Sequence, residues 1–251
     1  MPSRFDIAQQ LVLVCHRLYE RGLVVATDGN VSARLENGHI LVTPSATNKG
    51  QIRESDLMEL APDGIPITLA GKPSTETDMH VMIYRRRPDM SAIVHAHPPY
   101  ATGFAAARIP LPAQVFPEVI VGLGAIPLAP YATPSTKEVA DSLAPFIEHS
   151  DAILLSNHGV VTCGKDPEDA YFKMEKVEQA AHITFVARVL GGEKPLTREE
   201  LEKLRAVSPI SYGKEIPELP PEAQLSAEEG MTEERLRELI REALAGVKRG
   251  S

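Results

Sequence analysis

Phe5, Ala8, Leu11, Val12, Cys15, Leu18 and Tyr19 recur at the spacing of one helical face, and Gly22 follows them as a stop. The pattern predicts an amphipathic helix across residues 3–22, because side chains three and four positions apart share one side of a helix. Residues 23–45 then read as strand fragments, broken at Asp28-Gly29-Asn30 and again at Asn37-Gly38. The second break predicts a two-residue hairpin. Ser74 or Thr75 can cap a helix over residues 75–87, which Pro88 ends. Residues 90–97 predict a strand, 100–108 a short helix, 119–129 a strand and 135–150 a helix. Residues 151–164 predict two short strands around a turn at Asn157-His158-Gly159. A long helix over 166–192 closes on paired glycines. There is no internal repeat and no low-complexity tract.

From about residue 214 the pattern changes. Residues 213–230 are rich in Pro and Glu and read as an exposed linker. Residues 231–251 predict one more amphipathic helix, with a stripe of Leu236, Leu239, Ile240, Ala243, Leu244 and Val247 that needs a partner surface. The expected division is therefore a domain over 1–217 and a linker plus helix over 218–251.

Composition narrows the class. The 251 residues supply ample apolar material for a core, and the 43% hydrophobic and 24% charged fractions match a globular protein. A net charge of −8 argues against a nucleic-acid partner, which needs clustered Lys and Arg. The basic run Arg85-Arg86-Arg87 reads instead as the cationic last turn of a helix. Cys15 and Cys163 sit among apolar residues and are expected as free buried thiols. With no signal-like start and no bilayer-length apolar run, a cytoplasmic protein without a membrane partner is expected.

The candidate chemistry begins at Ile93-Val94-His95-Ala96-His97. Strand side chains alternate faces, so His95 and His97 share one side with Ile93. Two adjacent imidazoles can begin a transition-metal site or be ordinary hydrogen-bonded histidines. His158, at another strand end, is a third ligand candidate. A short ligand pair with one distant ligand is common for catalytic zinc, although a turn histidine bonded to backbone is the plain alternative. Glu76 lies in the first turn of the predicted helix, where the dipole favours any carboxylate. Ser74 and Thr75 beside it would gather hydroxyls and free N–H groups into an anion site. Residues 27–30 and 43–46 are further polar turns that can converge there. His16, His39, His149 and His182 read as structural or surface residues.

Taken in order, Gly29-Asn30-Val31-Ser32, Thr43-Pro44-Ser45, Ser74-Thr75-Glu76, His95-Ala96-His97, Tyr131-Ala132-Thr133 and Asn157-His158-Gly159 resemble the class II aldolase/adducin family. Its best-known enzymes are the L-fuculose-1-phosphate and L-rhamnulose-1-phosphate aldolases, with ribulose-5-phosphate 4-epimerases as relatives. The resemblance covers residues 4–213 and leaves the 218–251 extension outside. It implies an α/β fold, three layers α/β/α around a large, mainly antiparallel sheet, assembled as a homotetramer with sites at its interfaces. It further implies Zn²⁺ held by His95, His97 and His158, with Glu76 as acid/base. The substrate phosphate would rest on Asn30, Ser45, Ala46, Ser74 and Thr75, with His80 in support. Tyr212 would reach a neighbouring subunit's site.

A zinc aldolase acting on a small ketose 1-phosphate is the expectation that follows. Zn²⁺ on three neutral imidazoles would act as a Lewis acid toward the enediolate, and Glu76 would move the proton on the donor carbon. One residue departs from the pattern. Where the fuculose-phosphate aldolases carry a tyrosine after the His-x-His motif, this chain has Phe116, which has no proton to give. Either Tyr212 or a water does that work, or the reaction is a decarboxylation, epimerisation or dehydration on the same scaffold. A non-catalytic adducin-like module is disfavoured, since it has no need of the histidines and Glu76.

Overall fold

A computed structural model describes residues 2–68 and 71–207, which belong to a compact unit bounded as Met1–Ile216. Helix α1 (Arg4–Glu20) opens on a capping box: the Ser3 hydroxyl accepts from the Asp6 N–H, and the Asp6 carboxylate accepts from the Ser3 N–H. It buries Ile7, Ala8, Leu11, Val12, Val14, Cys15 and Leu18, while Phe5 and Tyr19, both in the expected apolar stripe, are exposed. Strands β1 (Asn30–Arg34), β2 (Ile40–Val42) and β3 (Met58–Leu60) follow, then helix α2 (Thr77–Arg86) and strand β4 (Ala92–Ala96). Next come α3 (Pro99–Ala107), α4 (Pro117–Gly122), β5 (Leu128–Ala129) and α5 (Lys137–Leu143). β6 (Ala152–Leu155), β7 (Gly159–Gly164), α6 (Pro167–Val189) and α7 (Arg198–Val207) complete the described part. The linker and stripe expected beyond residue 213 lie outside the described residues.

Among the described residues seven strands form one sheet in the order β3-β2-β1-β4-β7-β6-β5. Alternation along β4 divides its neighbours. Ala92, Val94 and Ala96 join an apolar cluster with α1, α3 and α6, while Ile93 joins a second cluster with α2 and α5. His95 shares the Ile93 face. The candidate chemistry therefore lies on the α2 side of the sheet, at the C-terminal end of its central strand.

Four expectations are corrected. The sheet is mixed: β5 pairs parallel with β6, because helix α5 carries the chain back between them as a crossover, beside the antiparallel pairings of the other strands. The 35–39 turn has three loop residues, since the Leu35 N–H bonds the His39 carbonyl. Gly38 takes φ +83° there and Asn37 is not among the positive-φ residues, whereas a two-residue type I′ turn needs both. Residues 119–129 hold only the two-residue β5. Pro117 starts α4 at a position where its missing N–H costs nothing, so Val119 and Ile120 pack from a helix instead. Helix α2 begins at Thr77, with Glu76 as its N-cap residue, not inside its first turn. Cys15 and Cys163 are buried as expected, and no described helix is long and apolar enough to cross a membrane.

Arg87, at the α2 C-cap, departs from the surface role given to the basic run. It is buried and pairs with Asp151 at 2.8 Å, while Lys173 reaches the other Asp151 oxygen at 3.0 Å. Burial would raise the Asp151 carboxyl, but the Lys173 and Arg87 charges outweigh it and hold the group below the ordinary carboxylate range. Asp151→Ala would remove the buried carboxylate that the two cations share, leaving Arg87 with Asp89 at 2.8 Å and Lys173 with Asp169 at 3.0 Å. It should cost about 1.5–3 kcal/mol in urea unfolding, the worth of a hydrogen bond to a charged group. Because the folded value is depressed, Asp151's contribution is present in full above about pH 4 and fades as pH falls through the folded value. A variant unfolding at the wild-type urea midpoint would show the network to be idle.

Candidate functional site

Sheet register brings the site together before any side chain is considered. Asn30 at the start of β1 pairs with His95 near the end of β4, and His95 pairs in turn with Val161 of β7. His158 ends the short turn from β6 to β7. Asn157 before it takes φ +57°, a left-handed value that asparagine tolerates well. That turn is latched to the end of α3: Asn157 donates from its N–H to the Ala105 carbonyl and from Nδ2 to Ala106, and accepts from Arg108 Nε at 2.9 Å.

The three imidazoles converge. Ring centroids lie 5.0 Å apart for His95 and His97, 4.8 Å for His95 and His158, and 5.3 Å for His97 and His158. One nitrogen from each lies within 4.8 Å of the other two. His95 donates from Nδ1 to the Val160 carbonyl at 2.9 Å, so its neutral ring carries a lone pair on Nε2. That lone pair faces His97 Nε2 at 3.3 Å and Glu76 Oε2 at 3.3 Å. Glu76 Oε1 stands 3.1 Å from His158 Nε2, yet is buried with no hydrogen bond of acceptable geometry.

Burial pushes the His95 imidazole down to about 3, even with the Glu76 charge beside it, and lowers His97 as well. Burial alone would raise the Glu76 carboxyl, but His95, His158 and the Asn30 amide outweigh it and keep the group ionised at neutral pH. The lowered His95 and His97 rings, the His158 ring and an anionic carboxylate thus gather around one point. Neutral imidazoles beside an ionised carboxylate are the donor state a divalent cation requires, and the stranded Glu76 oxygen fits such an ion.

A chain of hydrogen bonds fixes Glu76. Asn30 Nδ2 donates to Glu76 Oε2 at 2.7 Å, so Asn30 Oδ1 must accept, and His80 Nε2 donates to it at 2.5 Å. His80 Nδ1 then accepts from the Ser32 hydroxyl at 2.6 Å, and Ser32 lies 2.8 Å from the Tyr84 hydroxyl. Burial holds His80 neutral by pushing it to about 4. His80 thus supports Glu76 through Asn30. As N-cap residue, Glu76 makes no capping bond with its side chain, so the carboxylate is turned to the imidazoles and not to the helix.

The proposed phosphate residues form a looser group. The isolated bridge between Pro44 and Pro73, and the Ser45 N–H bonded to the Lys72 carbonyl at 2.8 Å, place the 43–46 turn beside Ser74 and Thr75. Ser45, Ala46 and Thr75 are exposed, Ala46 has φ +55°, and Ser74 Oγ accepts from the Glu76 N–H. The Asn30 amide is committed to Glu76 and His80. Tyr212 lies outside the described residues.

Four residues have a part in the site that the sequence did not assign them. Asp28 Oδ2 lies 3.7 Å from His97 Nδ1, on the ring edge opposite the cluster. Lys49 is buried between the 27–30 and 43–47 turns. Gly29 and Gly159 allow close approach: a Cβ on Gly29 would fall 2.7 Å from the His95 carbonyl, and one on Gly159 2.6 Å from both the Ala96 carbonyl and His97 Cδ2. Glycines inside such motifs were the available signal for the last two.

Residues 9–185 match the family described as Class II Aldolase and Adducin N-terminal domain. The chain is 36% identical over 176 residues to an L-fuculose phosphate aldolase of Methanococcus maripaludis, covering 70% of this chain and 94% of that protein. It is 30% identical over 208 residues to a 3-oxo-tetronate 4-phosphate decarboxylase of Escherichia coli, covering 80% and 96% respectively. Among solved structures, YgbL of Escherichia coli, titled a candidate aldolase/epimerase/decarboxylase, superposes with a TM-score of 0.75 at 29% identity. That match covers 80% of this chain and 99% of YgbL.

Gly159→Ala tests the close packing. The nearest obstacles are a backbone carbonyl and the His97 ring, so the ring must give way. Stability should fall by about 1–3 kcal/mol. Divalent-metal affinity, measured by chelator competition, should drop at least roughly tenfold as His97 turns from the cluster. Unchanged affinity would show that the ring has room to spare.

Proposed function

The chain belongs to the class II aldolase and adducin family, and from that premise we propose that it is a Zn²⁺-dependent aldolase. Its substrate is a small ketose 1-phosphate resembling L-fuculose 1-phosphate, reversibly cleaved to dihydroxyacetone phosphate and an aldehyde. The observation that carries this reading is the Glu76 carboxylate held by Asn30 among three converging imidazoles. His95, His97 and His158 would hold the cation. Bound there, it supplies Lewis-acid stabilisation of the negative charge that develops when the C3–C4 bond breaks. Glu76 takes and returns the proton on the donor carbon, with Asn30 and His80 fixing its direction. Asn30, Ser45, Ala46, Ser74 and Thr75 orient the substrate through its phosphate, remote from the breaking bond.

A second reading has one specific observation behind it. Phe116 packs partly buried against the large apolar cluster and offers no proton. Aldol cleavage must move a proton at the oxygen of the departing aldehyde, whereas a departing CO₂ carries none. Decarboxylation of a phosphorylated oxo-acid is therefore compatible with Phe116, and the decarboxylase-named relative supports it. In the aldolase reading, Tyr212 is the remaining phenol. Exposed apolar side chains along α6, among them Phe172, Ile183, Phe185 and Val189, support a homotetramer in which that phenol comes from a neighbour. The two apolar clusters on opposite faces of the sheet likewise support the three-layer α/β/α arrangement.

The metal-loaded chain incubated with a panel of ketose 1-phosphates should release dihydroxyacetone phosphate. Release of CO₂ from a phosphorylated oxo-acid, without cleavage of the ketoses, would select the second reading. Glu76→Gln should retain metal and lose at least about a hundredfold in turnover. His97→Ala should lose the metal, and wild-type protein never exposed to chelator but free of metal would end both readings. Tyr212→Phe should cut aldol cleavage strongly at unchanged metal content and mass in solution. Full activity in that variant would remove the inter-subunit phenol.

A further inference from the structure

Lys49 heads the fully buried side chains by volume, with 1% of its surface exposed. Its ammonium donates to the carbonyl oxygens of Thr27 at 3.1 Å and Thr47 at 2.8 Å, and forms no ion pair among the described residues. Asp28 is near enough to act on its charge, but that carboxylate is half-exposed and lies 3.7 Å from His97 Nδ1. A lysine this deeply buried is ordinarily paired, because taking an ammonium out of water costs several kcal/mol. Two neutral carbonyls take two of its three N–H donors, and no described residue forms an ion pair with it.

The surroundings indicate where the missing charge belongs. Thr27 opens the turn that ends at Asn30, and Thr47 follows Ser45 and Ala46. Ser45 is tied by its N–H to Lys72, beside Ser74 and Thr75. Two of the segments assigned to the substrate's phosphate thus meet at one ammonium, and the third is bonded to the second, although the assigned residues themselves carry no positive charge. We propose that Lys49 is the fixed counter-charge of the substrate phosphate, acting from beneath the turns that hold it. This rests on the phosphate-substrate reading above. In the same position Lys49 is also a positioning residue, since its bonds orient the Thr27 and Thr47 peptides.

The test is titration calorimetry of the metal-loaded full chain with inorganic phosphate, comparing wild type with Lys49→Gln. The glutamine keeps N–H donors for the carbonyls and removes the charge. Phosphate affinity should fall roughly tenfold or more, the loss expected when one charge of a desolvated pair is neutralised. Metal content should not change. Affinity within twofold of wild type overturns the proposal, and a lowered melting temperature alongside it would identify a purely structural clamp. If Lys49→Gln does not fold, wild-type chain with ¹⁵N-labelled lysine decides. The Lys49 Nζ resonance, assigned through coupling to the Thr27 and Thr47 carbonyls, should shift on phosphate saturation, and a stationary resonance overturns the proposal. A wild-type chain that holds metal but binds no phosphate overturns both this proposal and the phosphate-substrate reading. A wild-type chain that binds phosphate but holds no metal overturns both metal-dependent readings above and leaves this proposal standing.

Discussion

An ionised carboxylate taken out of water must be held by donors, and most of the polar architecture on the α2 face follows from holding Glu76. Asn30 supplies a bond at 2.7 Å, but an amide can turn over and offer its oxygen instead. The His80 N–H removes that freedom by occupying the Asn30 oxygen. Ser32 and Tyr84 in turn fix the His80 tautomer. The relay runs from the sheet's central strands into the core of α2, so the direction of one carboxylate is set by well-packed elements and not by a loop.

The histidines are held by a different device, close backbone approach. His95 is anchored by the Val160 carbonyl across the β4–β7 ladder, and Gly29 and Gly159 leave room for its carbonyl and for the His97 ring. A side chain at Gly29 would meet the His95 carbonyl and Val24, and one at Gly159 the Ala96 carbonyl and the His97 ring. The price in backbone entropy falls on two residues at strand ends, where ladder bonds already restrict the chain. Ligand-bearing ends of adjacent strands with a helix start opposite make a concave corner, and loop residues added around it set what is bound.

That division explains why relatives with different names share this scaffold. In the function proposed above, the imidazoles and Glu76 would serve any reaction that leaves negative charge beside a cation. Phe116 lies outside the relay and outside the histidine cluster, in contact with apolar core, so it can change without disturbing either. On that proposal, the choice between an aldehyde and CO₂ as departing group would rest on such peripheral residues and not on the charge-handling centre.

Much of this was legible along the chain. Strand alternation placed His95 and His97 together, the Asn157-His158-Gly159 turn gave the third imidazole, and helical spacing found α1 and α6. Their physical basis is local: period, capping and turn chemistry act within a few residues. Other features were not legible. Val119 and Ile120 spelled a strand but became helical after Pro117, because propensity is weak beside packing. The mixed sheet depended on which edge β5 joins. Arg87, Asp28 and Lys49 had no buried role in the sequence reading, since nothing in their neighbours along the chain says what will be folded over them. The sequence determined which groups can ligate, cap and turn. Tertiary structure alone decided which charged and ionisable groups lose their water, and that loss sets the states of Glu76 and His95 and leaves Lys49 on two neutral carbonyls.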